Sequence, residues 1–176
     1  AEVSTTSAPK ERAQAAISSA SVAITTLWAE PARARRKTCS ISGLPAISIR
    51  PSMSDEQRSE YAWRSLSQVL SQFLHGEQGA MMVASQLVSC APTYDAKLYA
   101  ASQTFDEARH VEVFNKYLRT RCRIEYPVNP SLKLLLDKIL TDPRWDLKFI
   151  GMQILIEGLA LAAFQTMTQT TRDPLL

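Results

Sequence analysis

The sequence predicts an all-α protein built as a helical bundle. Three observations carry that expectation. Apolar residues recur at spacings of three and four through three long stretches, which is the signature of amphipathic helices. No stretch alternates with period two over a useful length, so nothing reads as a strand. Glycine is scarce, at five in 176 residues, and 45% of the chain is hydrophobic, enough for one domain with a sizeable core.

The elements follow in order from Ser54. The run "SDEQ" is a capping box, with Ser54 as N-cap and Gln57 three residues on. The apolar stripe of the first long helix then passes through Leu66, Leu70, Phe73, Glu77, Met81, Ala84 and Val88, ending near "CAP" at 90–92. A second helix opens around Asp95 and carries Ala100, Gln103, Glu107, His110, Phe114 and Leu118 on one face, stopping before the loop "IEYPVNP". Asn129 and Pro130 start a short helix, "SLKLLLDKIL". Asp142 and Pro143 open the third long helix, with the stripe Ile150, Gln153, Glu157, Ala160, Phe164 and Met167.

Residues 1–50 differ in kind. They are rich in Ser, Thr, Ala and Arg and read as a leader or non-native segment with little order, dispensable for the core at 51–176. They hold seven Lys and Arg against Glu2, Glu11 and Glu30, a surplus of four, so the remainder of this +3 chain carries a net charge of −1. The folded part therefore offers no electrostatic case for nucleic acid. Cys39, Cys90 and Cys122 are widely spaced, odd in number and without a C-x-x-C, which reads as reduced thiols in a cytoplasmic protein. The apolar run at 149–164 contains Gln153 and Glu157 and falls short of the roughly 18 uninterrupted apolar residues of a membrane span. It is expected to be a buried core helix, with no membrane partner.

Three of the stripes contain acids where leucine belongs. Glu77, Glu107 and Glu157 each lie near a helix middle, flanked by apolar residues, and His110 follows Glu107 by three, on the same face one turn away. Burying a carboxylate costs several kcal/mol unless a partner compensates it. Bound cations would make three such acids tolerable. Carboxylates with an imidazole suit iron or manganese better than zinc.

The segments "HGEQGA" (75–80), "DEARHVEVF" (106–114) and "EGLALAAF" (157–164) together resemble the ferritin-like di-iron carboxylate superfamily. The branches most similar are those of the ribonucleotide reductase small subunit and of para-aminobenzoate N-oxygenase. The resemblance covers about 54–176 and implies a ferritin-like four-helix bundle whose fourth core helix, with a second Glu-x-x-His, is missing from this chain. It implies two iron ions, or manganese in their place, held by Glu77 as a terminal ligand, Glu107 as the bridge, His110 on the first metal and Glu157 on the second. It further implies an oxidoreductase acting on dioxygen and a small organic substrate, inactive as this chain alone. At the position of the reductase's radical tyrosine stands Phe114, which argues against a tyrosyl-radical role.

Around these ligands other readings stand side by side. Asp106 either orients a histidine of the missing helix or is a solvated acid. Gln103 and Gln153, one turn before proposed ligands, bond them, line a pocket or satisfy each other. His75 is expected to face away from the metals. Gly76, Gly79 and Gly158 either open space beside the site or allow close helix packing. The alternative function is metal storage without substrate oxidation, and a metal-free scaffold is a third reading. Assembly as a homodimer is left open.

Overall fold

The computed structural model describes residues 53–171, and the expected leader at 1–50 lies outside them. The described residues form four helices and no strand. Helix α1 spans Asp55–Cys90 and α2 spans Tyr94–Tyr117, followed by a π-helical turn, Leu118–Cys122. Helix α3 spans Pro130–Thr141, and α4 runs through Trp145–Thr170 with a π-helical stretch, Ile150–Ile156, in its interior.

The helix starts obey their capping chemistry. Ser54 Oγ accepts from the Gln57 amide while Gln57 Oε1 accepts from the Ser54 amide, the reciprocal box expected. Thr93 caps α2 by accepting from Ala96 N, and Asn129 caps α3 with Pro130 in its first turn. At α4 the expected cap is displaced by two residues: Arg144 is the N-cap, and Asp142 accepts from its amide and its guanidinium. The salt-bridged, hydrogen-bonded Asp142 carboxyl is pulled down to about 2, chiefly by the Arg144 side chain.

The loop between α2 and α3 is fastened to α1. After Arg123 turns the chain in a left-handed conformation (φ 58°), Ser71 Oγ accepts from Tyr126 N, and Gln72 donates to Pro127 O and accepts from Asn129 N. His75, buried on the same face, places Nε2 3.0 Å from Tyr126 O. This crossover returns the chain to the end where α2 began. Gln103 then meets Gln153, and further along Phe114 stacks against Phe164, so α4 runs parallel to α2 and antiparallel to α1. One long crossover between two antiparallel arms is the connectivity of ferritin-like bundles.

The core is divided in two. Ala80, Val83, Leu87, Leu136, Leu140 and Met152 belong to one buried cluster. Leu70, Leu74, Tyr117, Leu118 and Cys122 form the other. Glu77 lies between the two clusters on α1, and Glu107 lies between them on α2. Polar residues therefore interrupt the core at one level, with an apolar layer on either side.

Helix α4 corrects two expectations. The run 149–164 is not a buried core helix: Ile154, Leu155, Leu159 and Leu161 are exposed, and no residue of Glu157–Thr170 is buried. The helix as formed has 26 residues and is long and apolar enough, by length and composition, to cross a membrane. Its expected stripe holds from Gln153 to Met167, but Ile150 is exposed, while Lys148, Gly151 and Met152 are buried. The π-helical stretch accounts for the change of phase. It closes on an i→i+5 bond from Glu157 N to Met152 O, inserting a residue that a regular α-helical period does not contain.

Candidate metal centre

The polar level between the two clusters contains a convergent donor set. Glu77 from α1 and Glu107 with His110 from α2 each offer one ligand atom, and these atoms all lie within 4.8 Å of one another. The His110 ring directs Nδ1 at both carboxylates, 3.2 Å from Glu77 Oε2 and 3.2 Å from Glu107 Oε2. Both glutamates are buried, while the His110 side chain is 35% exposed and forms the open side of the cluster. The i, i+3 spacing of Glu107 and His110 sets their heads on one face, and the antiparallel packing of α1 supplies Glu77.

Electrostatics show how poorly this set tolerates lacking a cation. Burial pushes the Glu77 carboxyl up to about 9, and a hydrogen bond and charge repulsion from Glu107 add to it. A carboxyl shifted that far holds its proton at neutral pH. Glu157 is also raised, first by burial and then by Glu107, with His110 opposing. Two carboxylates and an imidazole on one point are hard, oxygen-rich donors that suit iron or manganese. The residues present fit such an ion.

A chain of amides supports the centre. Gln153 Nε2 donates to Gln103 Oε1 at 2.7 Å, and Gln103 Nε2 donates to Glu107 Oε1 at 3.1 Å. Gln103 thus bonds the carboxylate one turn on and Gln153 bonds Gln103, a relay that ties α4 to α2. On the outer side, Arg109 donates to Asp106 Oδ1 from Nε and Nη2, and Asp106 Oδ2 lies 3.6 Å from His110 Nε2. Asp106 is thus an exposed, ion-paired acid that also stands behind this chain's own imidazole. His75 is turned to the crossover loop, away from the cluster.

Glu157 stands apart from the close triad. It is half-buried, senses Glu107, His110 and Glu77 electrostatically, and shares with Glu77 the lining of a groove. Beside the site Phe73, Phe114 and Phe164 pack together, with ring centroids 4.6 to 6.2 Å apart. Phe73 precedes Glu77 by one turn and Phe114 follows His110 by one turn, so an aromatic wall closes that end.

The residues the sequence did not single out are chiefly structural. Lys148 is 4% exposed, and its ammonium donates to Gln86 Oε1 and to the carbonyls of Ile139 and Leu140. Burial lowers its pKa. The pattern hid it because a lysine on a stripe reads as a solvated break.

The fold and donor set define an all-helical bundle with a buried Glu-Glu-His cluster, consistent with a ferritin-like di-metal carboxylate site. Comparison with protein-family profiles, with curated proteins and with solved structures finds no match to this chain.

Proposed function

We propose that this chain contributes most of a non-haem di-iron, or manganese–iron, carboxylate centre, and that the centre serves an oxidoreductase acting on dioxygen and a small organic substrate. The observation that carries the reading is the convergence of Glu77, Glu107 and His110 from two helices, with Glu157 on a third. Glu107 holds the central position because the Gln103 amide fixes one of its oxygens and leaves the other toward His110 and Glu77. Glu77 and His110 flank it, and Glu157 supplies a further carboxylate from the groove side. A reduced metal pair, when bound, supplies the activation of dioxygen. The protein's own part is to hold the donors, to release to solvent the protons that its carboxyls give up on binding, and to exclude water with the phenylalanine wall.

A second imidazole belongs to this reading and comes from outside these residues. The chain has two histidines, and His75 faces the crossover loop. The exposed side of His110 and the uncovered Leu155 and Leu161 of α4 give a further helix with its own Glu-x-x-His a place to pack. Phe114, one turn beyond His110, favours oxidation of a bound substrate over radical storage, the N-oxygenase-like rather than the reductase-like branch. The apolar groove beside Glu77 favours a substrate over metal storage, which has no use for it.

Anaerobic titration with Fe(II) and with Mn(II), followed by metal analysis, tests the reading. The chain should bind metal weakly through the triad, and His110→Ala or Glu107→Ala should abolish binding. A chain carrying the further helix should bind two Fe(II) and consume dioxygen. Equal metal uptake by native protein and His110→Ala would refute it.

A further inference from the structure

Beside the centre, α1, α3 and α4 enclose an open groove of ≈ 270 Å³. Its walls are Phe73, Leu132, Leu135, Ile156, Leu159 and Ala160, and Glu77 and Glu157 reach it from the metal level. We propose that this groove binds an uncharged, apolar small molecule, the substrate of the centre, presented to the side of the site where Glu77 and Glu157 meet. The assignment of substrate rests on the oxidoreductase reading; the binding site itself does not.

Two observations carry it. The first is charge. Among the described residues no lysine, arginine or histidine lines the groove, and Gln72, the remaining polar residue of that lining, is already bonded to Pro127 and Asn129. A ligand carboxylate or phosphate would lose its hydration there and find no cation to replace it, whereas an uncharged hydrocarbon body meets side chains of its own kind. Sites for drug-sized ligands run from about 300 Å³ upward, so this one suits a smaller molecule.

The second is Gly76. A glycine inside a helix costs about 1 kcal/mol relative to alanine. Close packing explains Gly79 and Gly151, where a Cβ would lie 2.6 Å from Leu136 Cδ2 and 2.8 Å from Ile139 Cγ1, while Gly158, outside the groove lining, is open. At Gly76 a Cβ would meet nothing within 4 Å. The absent side chain instead leaves space in the groove wall beside Glu77. A ligand gives that space a use that helix packing does not.

Naphthalene, fluorescent and uncharged, is a suitable probe, with 1-naphthoate as its anionic counterpart. The full 176-residue chain without metal should bind naphthalene saturably, and 1-naphthoate at least about tenfold more weakly, because its carboxylate is desolvated in an apolar groove without a compensating cation. Gly76→Leu enters open space and raises helix propensity, so it should fold while weakening naphthalene at least about tenfold. Ala160→Leu, from the opposite wall, should do the same, and circular dichroism confirms the fold of both. Equal binding of the two probes, or unchanged binding in both variants, overturns the proposal. No naphthalene binding by the intact chain also overturns it, since another part of the chain or a partner helix then fills the groove. Metal binding without naphthalene binding removes the groove and leaves the centre standing. Naphthalene binding without metal binding keeps the binding site and removes the oxidoreductase reading.

Discussion

His110 Nδ1 stands 3.2 Å from Glu77 Oε2, joining residues 33 apart in the chain at a level where both flanking layers are apolar. The same nitrogen lies 3.2 Å from Glu107 Oε2, so one ring atom faces two buried carboxylates. With a proton on Nδ1 the ring donates to both, and Nε2 accepts from Arg109 Nη2 at 3.0 Å. A cation held by Nδ1 would leave the proton to Nε2, which lies 3.6 Å from Asp106 Oδ2. A metal bound by this donor set would displace protons from it.

Metal-free protein should therefore lose stability as pH rises. Glu77 titrates near its ordinary 4.5 when unfolded and at about 9 when folded, so between those values the folded state holds the extra proton. Its contribution is fully present below 4.5, declines through the neutral range and is lost once pH passes 9. Glu157, also raised, adds with the same sign. Thermal transitions measured from pH 5 to pH 8 should fall for the native chain. In Glu77→Gln, whose amide mimics the protonated acid toward Glu107, the fall should be much shallower and the transition at pH 8 at least as high. A transition rising with pH in the native chain would contradict this account.

The Gln153–Gln103–Glu107 relay makes a separate prediction about affinity. Removing a hydrogen-bond partner of a metal-binding carboxylate costs about 10–100-fold in metal affinity. Gln103→Leu keeps the volume but strips Glu107 of its donor and Gln153 of its acceptor. Mn(II) affinity should drop by that range while helix content is retained. Gln153→Leu, one bond further out, should have a smaller effect. Equal losses from both variants would mean that the relay acts through packing of α4 rather than through Glu107.

Much of this was legible in the sequence because period and capping are local. The box at Ser54, the Asn129–Pro130 start and the α2 stripe from Ala100 to Leu118 depend on neighbours within a turn or two, and each takes its expected place. Glu77, Glu107 and His110 stood out for a similar reason, as polar residues on apolar stripes. The π-helical stretch before Glu157 was not legible: one extra residue is decided by packing against α1 and α3, and leaves no mark in a pattern of threes and fours. Nor was the exposure of α4, since a helix apolar on several faces reads as buried whether or not neighbours cover it. Loop fastening by Ser71, Gln72 and His75 depends on partners more than 50 residues away.

Two glycines that look alike in the sequence should respond in opposite directions. At Gly79 a new Cβ meets Leu136 at 2.6, 3.1 and 3.3 Å, and Leu136 is fully buried, so its whole head must shift. Overpacking of that kind costs about 1–3 kcal/mol, which exceeds the gain in helix propensity. At Gly158 nothing lies within 4 Å, so alanine there should stabilise by about 0.5–1 kcal/mol. Urea midpoints of Gly79→Ala and Gly158→Ala should lie on either side of the native value. A stabilised Gly79→Ala would show that α1 and α3 pack less closely than this, and a destabilised Gly158→Ala would show that its Cβ does not enter open space.

Lys148 should behave as a structural cation rather than as a chemical one. Its ammonium fills the end of α3, where the last carbonyls have no intrahelical partner, by donating to Ile139 O and Leu140 O at 3.0 Å and to Gln86 Oε1 at 2.6 Å. It thereby pins α1, α3 and α4 at one point beside the larger apolar cluster. Lys148→Met keeps much of the stem's packing but leaves two buried carbonyls and the half-buried Gln86 amide oxygen unmet, at about 1–3 kcal/mol for a buried group. Because burial lowers the Lys148 pKa, the folded state sheds this proton at lower pH than the unfolded chain does, and its pairing energy is already reduced by desolvation. The loss in Lys148→Met should accordingly exceed that of an exposed lysine yet remain within a few kcal/mol. Chemical denaturation gives the magnitude, and Mn(II) titration gives the second readout, which should move little because Lys148 touches no proposed ligand. A variant as stable as the native chain would show that water satisfies those carbonyls and that the end of α3 is open.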